Sequence, residues 1–110
     1  MIYHIIPETA WNEQQAAESI YVPSLQAEGF IHCCTKQQVE GVLHRYFQGQ
    51  TGLLILEIEE QKLEAELRFE KSTNDELFPH VFGAINKSAI LSVNRLGEQD
   101  HDKTILLNIL

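Results

Sequence analysis

Apolar positions along the chain switch between a period of two and a period near 3.6, and the switches mark the elements. Met1 to Ile6 is rich in β-branched and aromatic residues, which predicts a strand. Ile2, His4 and Ile6 then share one face, and Tyr3 and Ile5 the other. Pro7 ends the strand because it has no N–H for the ladder. Thr9 is placed to cap a helix over about residues 10 to 18, with Trp11 as its apolar anchor. Tyr21 to Pro23 is extended, since a residue before proline avoids the α region. Ser24 caps a single turn, Leu25 to Glu28, which Gly29 closes in the left-handed region. Phe30 to Cys34 follows as a strand, with Phe30, His32 and Cys34 on one face and Ile31 and Cys33 on the other.

Thr35 and Gln38 form a capping box, in which each side chain takes one orphan backbone N–H. Val39, Val42, Leu43, Tyr46 and Phe47 then recur at helical spacing, an amphipathic stripe that carries the helix to about Phe47. Gly49 and Gly52 end it. Leu53 to Ile58 is short and nearly all apolar, the pattern of a central strand buried on both faces. Glu59 to Leu63 is a connector. From 65 to 70, Ala65, Leu67 and Phe69 alternate with Glu66, Arg68 and Glu70. Lys71 to Glu76 is a polar loop. The segment Leu77 to Gly83 is apolar yet contains Pro79, His80 and Gly83, which suits an irregular buried stretch. Lys87 to Arg95 alternates again, with Ala89, Leu91 and Val93 on one face. Gly97 to Lys103 reads as a turn, and Thr104 to Leu110 as a closing strand. This order is no regular βαβ alternation. It predicts an α+β fold, a small single domain over residues 1–110, with a mainly antiparallel sheet and two helices.

Composition narrows the partners. The apolar fraction is 44% and the charged fraction 22%, an ordinary globular balance. The formal net charge of −8 disfavours a nucleic-acid backbone or an anionic membrane, which such a surface repels. No apolar run approaches the ~20 residues of a spanning helix, and the N-terminus lacks a signal-peptide pattern. The two cysteines, Cys33 and Cys34, are adjacent and would point to opposite faces of a strand, so a structural disulfide between them is disfavoured. A reduced, cytoplasmic protein is expected.

Candidate chemistry centres on histidine. His44 sits at the edge of the helical stripe and His101 in a charged turn, both unremarkable places. His4, His32 and His80 all lie in apolar segments, where a histidine must be hydrogen-bonded or cost of order 1–3 kcal/mol. Three such residues together suggest one pocket. His32 and Cys34, joined by His4 and His80, would suit zinc, although no zinc-site spacing is present. Cys34 precedes a helix whose N-terminal dipole lowers a thiol pKa, while small buried packing residues are the commoner use of free cysteines. Glu70 ends a strand whose polar face also carries Glu66 and Arg68, and Glu57 is a second carboxylate in an apolar run. No serine-hydrolase elbow, phosphate-cradling glycine loop or dinucleotide fingerprint occurs.

Three pieces carry a family resemblance: Tyr3-His4-Ile5 followed by Trp11, Ser24 through Cys33, and Phe78-Pro79-His80-Val81-Phe82-Gly83. In this order they resemble the bacterial domain of unknown function family 952, over nearly the whole chain. That family more often has Ser at the position of Cys34 and Tyr at the position of Phe82. It is in turn distantly similar to the ADP-ribosyltransferase fold, which holds NAD between two small sheets. The resemblance implies His4, His32 and Glu70 as the reacting groups, with Thr35 beside His32 at the start of the helix; Phe30, His80 and Phe82 are the further candidates to line the ligand pocket. It implies NAD as the cofactor, with Glu70 stabilising the sugar cation left when nicotinamide departs. The N–H groups opening the helix after Thr35 suit the anionic end of a ligand. The alternative is a non-catalytic module that binds a small molecule or a protein, with metal binding through His and Cys as one form of it.

Overall fold

The computed structural model describes residues 1–96. The first strand, β1 (Ile2–Pro7), pairs antiparallel with β4 (Leu53–Ile58), and β4 pairs antiparallel with β8 (Ile90–Leu96). The apolar run of β4 thus occupies the centre of a three-stranded sheet, buried on both faces. A second three-stranded sheet has the order β3 (Ile31–His32), β6 (Leu77–Phe82), β5 (Glu66–Lys71), again antiparallel. A two-residue pair joins β2 (Ser19–Ile20) to β7 (Ile85–Asn86). The fold is α+β, with mostly strands and, among the described residues, three short α-helices.

Two cores follow from the alternation of β1 and β4. Ile2, Ile6, Leu54, Leu56 and Ile58 pack against Ile31 and Val81 of the second sheet and Ile20 and Ile85 of the small pair. Tyr3, Ile5, Leu53 and Ile55 face the other way and are covered by α3 (Val39–Tyr46) through Val39 and Leu43. Thr35 and Gln38 form the expected capping box, in which Gln38 accepts the Thr35 N–H at 3.0 Å. The first turn, Lys36–Gln38, is a tighter 3₁₀ turn.

Several elements differ from the sequence expectation. α1 (Glu8–Glu13) starts directly after Pro7 and is shorter, so Thr9 lies inside it and caps nothing. α2 (Pro23–Glu28) begins at Pro23, whose fixed φ suits a first helical position. Ser24 is therefore internal, and its hydroxyl donates to the Phe30 carbonyl at 2.9 Å. Gly29 closes α2 at φ 90° as expected.

The segment expected to be irregular, Leu77 to Gly83, forms a regular central strand up to Phe82. Pro79 is tolerated there for a specific reason. Its carbonyl accepts from Cys33 N at 3.0 Å, and the return bond that it cannot donate falls where β3 has already ended. The predicted strand from Phe30 to Cys34 is correspondingly cut to Ile31–His32. In β8, Leu91 and Val93 share a face that is exposed, at 48% and 42%, whereas Ala89 just before the strand is buried. Among the described residues β8 is an outer strand of its sheet. The turn at Gly97 to Lys103 and the strand at Thr104 to Leu110 lie outside the described residues. Among the described residues no helix is long and apolar enough to cross a membrane.

Candidate functional site

Residues 32–34 stitch the two sheets together. The Cys33 N–H goes to Pro79 of the second sheet. The Cys34 N–H and C=O exchange bonds of 2.8 Å each with Tyr3 of the first. The His32 carbonyl bonds to His4 Nδ1 at 2.7 Å. A carbonyl only accepts, so Nδ1 of His4 carries the proton and Nε2 is the bare nitrogen. His4 is 7% exposed, and burial pushes its pKa down from the usual 6.5 to about 4. The bond to the His32 carbonyl opposes this and the nearby His32 ring adds to it. The ring is neutral at pH 7.

A cavity of about 300 Å³ opens beside this seam. β1 and the seam contribute Tyr3, His4, Ile5, His32, Cys33 and Cys34. α3 and its end contribute Val42, Tyr46 and Phe47, and the β5–β6 hairpin contributes Ser72, Thr73 and Phe78. At the mouth the Tyr46 and Thr73 hydroxyls are hydrogen-bonded to each other. No lysine, arginine or carboxylate is among the described residues lining it.

A second group of side chains lies on the outward face of the β3-β6-β5 sheet. Phe30 stacks on His80 with ring centroids 4.1 Å apart and an interplanar angle of 22°. The His32 ring meets His80 edge-on at 5.3 Å and Phe82 lies 5.3 Å from Phe30. His80 Nδ1 bonds Glu70 at 2.8 Å, and the buried His80 Nε2 has no partner among the described residues. His32 Nε2 bonds Glu28 at 2.9 Å on a half-exposed ring. Arg68 lies over the Phe82 ring at 4.7 Å.

The sequence candidates therefore fall into three places. His4 and His32 meet at the cavity. His32, His80, Phe30, Phe82 and Glu70 form one contiguous set, with the Glu70 hydrogen bond made to His80 rather than to His4 or His32. Thr35 is taken up in opening α3 and does not line the cavity. Glu57 accepts from Tyr3 and Ser92 at 3.4 and 3.0 Å. Both cysteines are buried, which raises the Cys33 thiol well above its usual value and pushes Cys34 up to about 12. Burial thus outweighs the helix dipole and argues against a reactive thiol. Among the described residues no three His, Cys, Asp or Glu side chains converge as a metal site. Nothing in the sequence singles out the mouth residues Ser72, Thr73 and Tyr46: Tyr46 has the spacing of the apolar stripe, yet it is 55% exposed at the end of the helix.

The chain belongs to a family of proteins of unknown function, DUF952, whose model matches residues 5–93. It is also similar to the solved structures of protein CC0527 from Caulobacter crescentus. The crystal structure is 27% identical with a TM-score of 0.80, covering 86% of this chain and 84% of that one. The solution NMR structure is 26% identical with a TM-score of 0.77, covering 91% and 88%. No curated protein matches the chain.

Proposed function

We propose that this member of the family binds a small molecule in the cavity between β1, α3 and the β5–β6 hairpin. One observation carries the reading: a neutral histidine, fixed in one tautomer by the His32 carbonyl, stands in the wall of an otherwise largely apolar cavity. Ligand sites pair an apolar lining with a few placed polar groups in this way. The test is an NMR titration of the protein with small aromatic fragments. Amide shifts confined to Tyr3, Cys34, Phe47 and Thr73 support the reading. No perturbation of these amides at millimolar fragment would refute it.

A second reading, an NAD- or ADP-ribose-related transferase or hydrolase, rests on the contiguous His32, His80 and Glu70 set. A carboxylate beside histidines suits the stabilisation of a sugar cation. Two features weigh against it. Glu70 is committed to His80, and the nearby cation, Arg68, is paired with Glu66. A rise in melting temperature with NAD or ADP-ribose supports this reading, and no shift at millimolar ligand removes it. The unbridged adjacent cysteines support a cytoplasmic location.

A further inference from the structure

We propose that the cavity selects an uncharged aromatic ring carrying one N–H or O–H donor, which His4 Nε2 accepts. This rests on the binding reading above and names its ligand class.

Three observations lead to it. First, size: an apolar cavity of about 150 Å³ already holds benzene, so about 300 Å³ leaves room for a substituted or fused ring. Second, the lining: Tyr3, Phe47 and Phe78 supply aromatic faces and Val42 and Ile5 aliphatic ones. Such walls suit ring stacking. Third, polarity: Nδ1 of His4 is spent on the His32 carbonyl, so Nε2 is the nitrogen that remains for a ligand. Burial keeps the ring neutral, which makes Nε2 an acceptor and leaves it nothing to donate. An acceptor-bearing ligand end is therefore rejected there, and a donor is selected. An anion is disfavoured twice, by the absence of lysine and arginine among the described lining residues and by the net charge of −8.

Indole and benzofuran test this directly, because they match in shape and differ in the N–H. Both are titrated into the wild-type protein, with the ring nitrogens of His4 followed by long-range proton–nitrogen NMR. Indole should bind about five- to tenfold more tightly, the worth of one hydrogen bond. It should move the Nε2 resonance and leave Nδ1 in place, whereas benzofuran should move neither. Equal affinities with Nε2 unmoved overturn the donor rule while the binding reading stands. Tighter binding of indole-2-carboxylate than of indole overturns the preference for an uncharged ring. Failure of both neutral probes to perturb any lining residue overturns the binding reading and the ligand class together.

Discussion

Lowering the pH should unfold this protein partly through one residue, His4. The folded ring has its pKa depressed from 6.5 to about 4, so over that interval the unfolded chain binds a proton that the folded chain refuses. The contribution of neutral His4 to stability is complete above about pH 6.5 and is lost as pH falls toward 4. At about 1.4 kcal/mol per pKa unit the whole gap is worth roughly 3 kcal/mol, of which about 2 kcal/mol is gone by pH 5. His4→Asn isolates the effect, because Asn keeps an N–H for the His32 carbonyl and does not titrate. Urea unfolding of both proteins at intervals from about pH 7.5 to pH 5 gives the two stability curves. Carboxylates common to both cancel on subtraction. The wild type should lose about 2 kcal/mol more than the variant over this range. A difference that stays constant with pH refutes the claim that His4 is buried, neutral and fixed in its tautomer.

Other consequences are simpler to check. Both thiols should react with a disulfide reagent at neutral pH far more slowly in the folded protein than in urea, since burial raises both pKa values. Fast native labelling would show that Cys34 is accessible after all. Glu70→Ala leaves buried His80 without a partner on either nitrogen and should cost about 1–3 kcal/mol, while Glu70→Gln keeps an acceptor and should cost less. Equal stabilities for the two variants would contradict this. A Cβ at Gly83 would lie 2.8 Å from Ala65 Cβ, so Gly83→Ala should overpack by about 1–3 kcal/mol. Adding Ala65→Gly should recover part of that loss, and a double-mutant cycle with no coupling would place the cost elsewhere.

Much of the fold is legible where a single local rule decides. The apolar run of β4, the Gly29 turn and the Thr35–Gln38 capping pair each read correctly from neighbouring residues alone. Failures occur where a partner far along the chain decides. Pro79 argued against a strand, and only the early end of β3 makes it harmless. The alternation of Leu91 and Val93 marks a strand and a shared face, but alternation alone does not say that this face is the exposed one. Thr9 reads as a cap from its neighbours, but Pro7 already stands at the entry to α1, which begins at Glu8 and ends at Glu13. In the candidate site, the histidines stood out as polar residues in apolar runs. The far side of the cavity gave no such signal. Phe47 and Val42 look like ordinary stripe, and Ser72 and Thr73 like an ordinary loop, until the hairpin packs against α3.

The seam explains why the site and the fold share residues. Pro79 denies Cys33 a second bond to β6, so the ladder between β3 and β6 stops there. The chain crosses to β1 and bonds Tyr3 through Cys34. That crossing presents the His32 carbonyl to His4, and the same carbonyl fixes the His4 tautomer. A substitution that frees His4 Nδ1 therefore loosens the join between the sheets as well as the acceptor in the cavity. Loss of binding in a His4 variant alone cannot separate the two effects, because the part-buried His32 carbonyl loses its donor in the same step, a hydrogen bond worth about 1 kcal/mol. Asn at position 4 separates them: it retains the donor to His32 and removes the imidazole Nε2. A His4→Asn protein that unfolds like the wild type near neutral pH, yet no longer prefers indole to benzofuran, assigns the seam to Nδ1 and recognition to Nε2. If it keeps the preference, the acceptor is another group in the cavity wall.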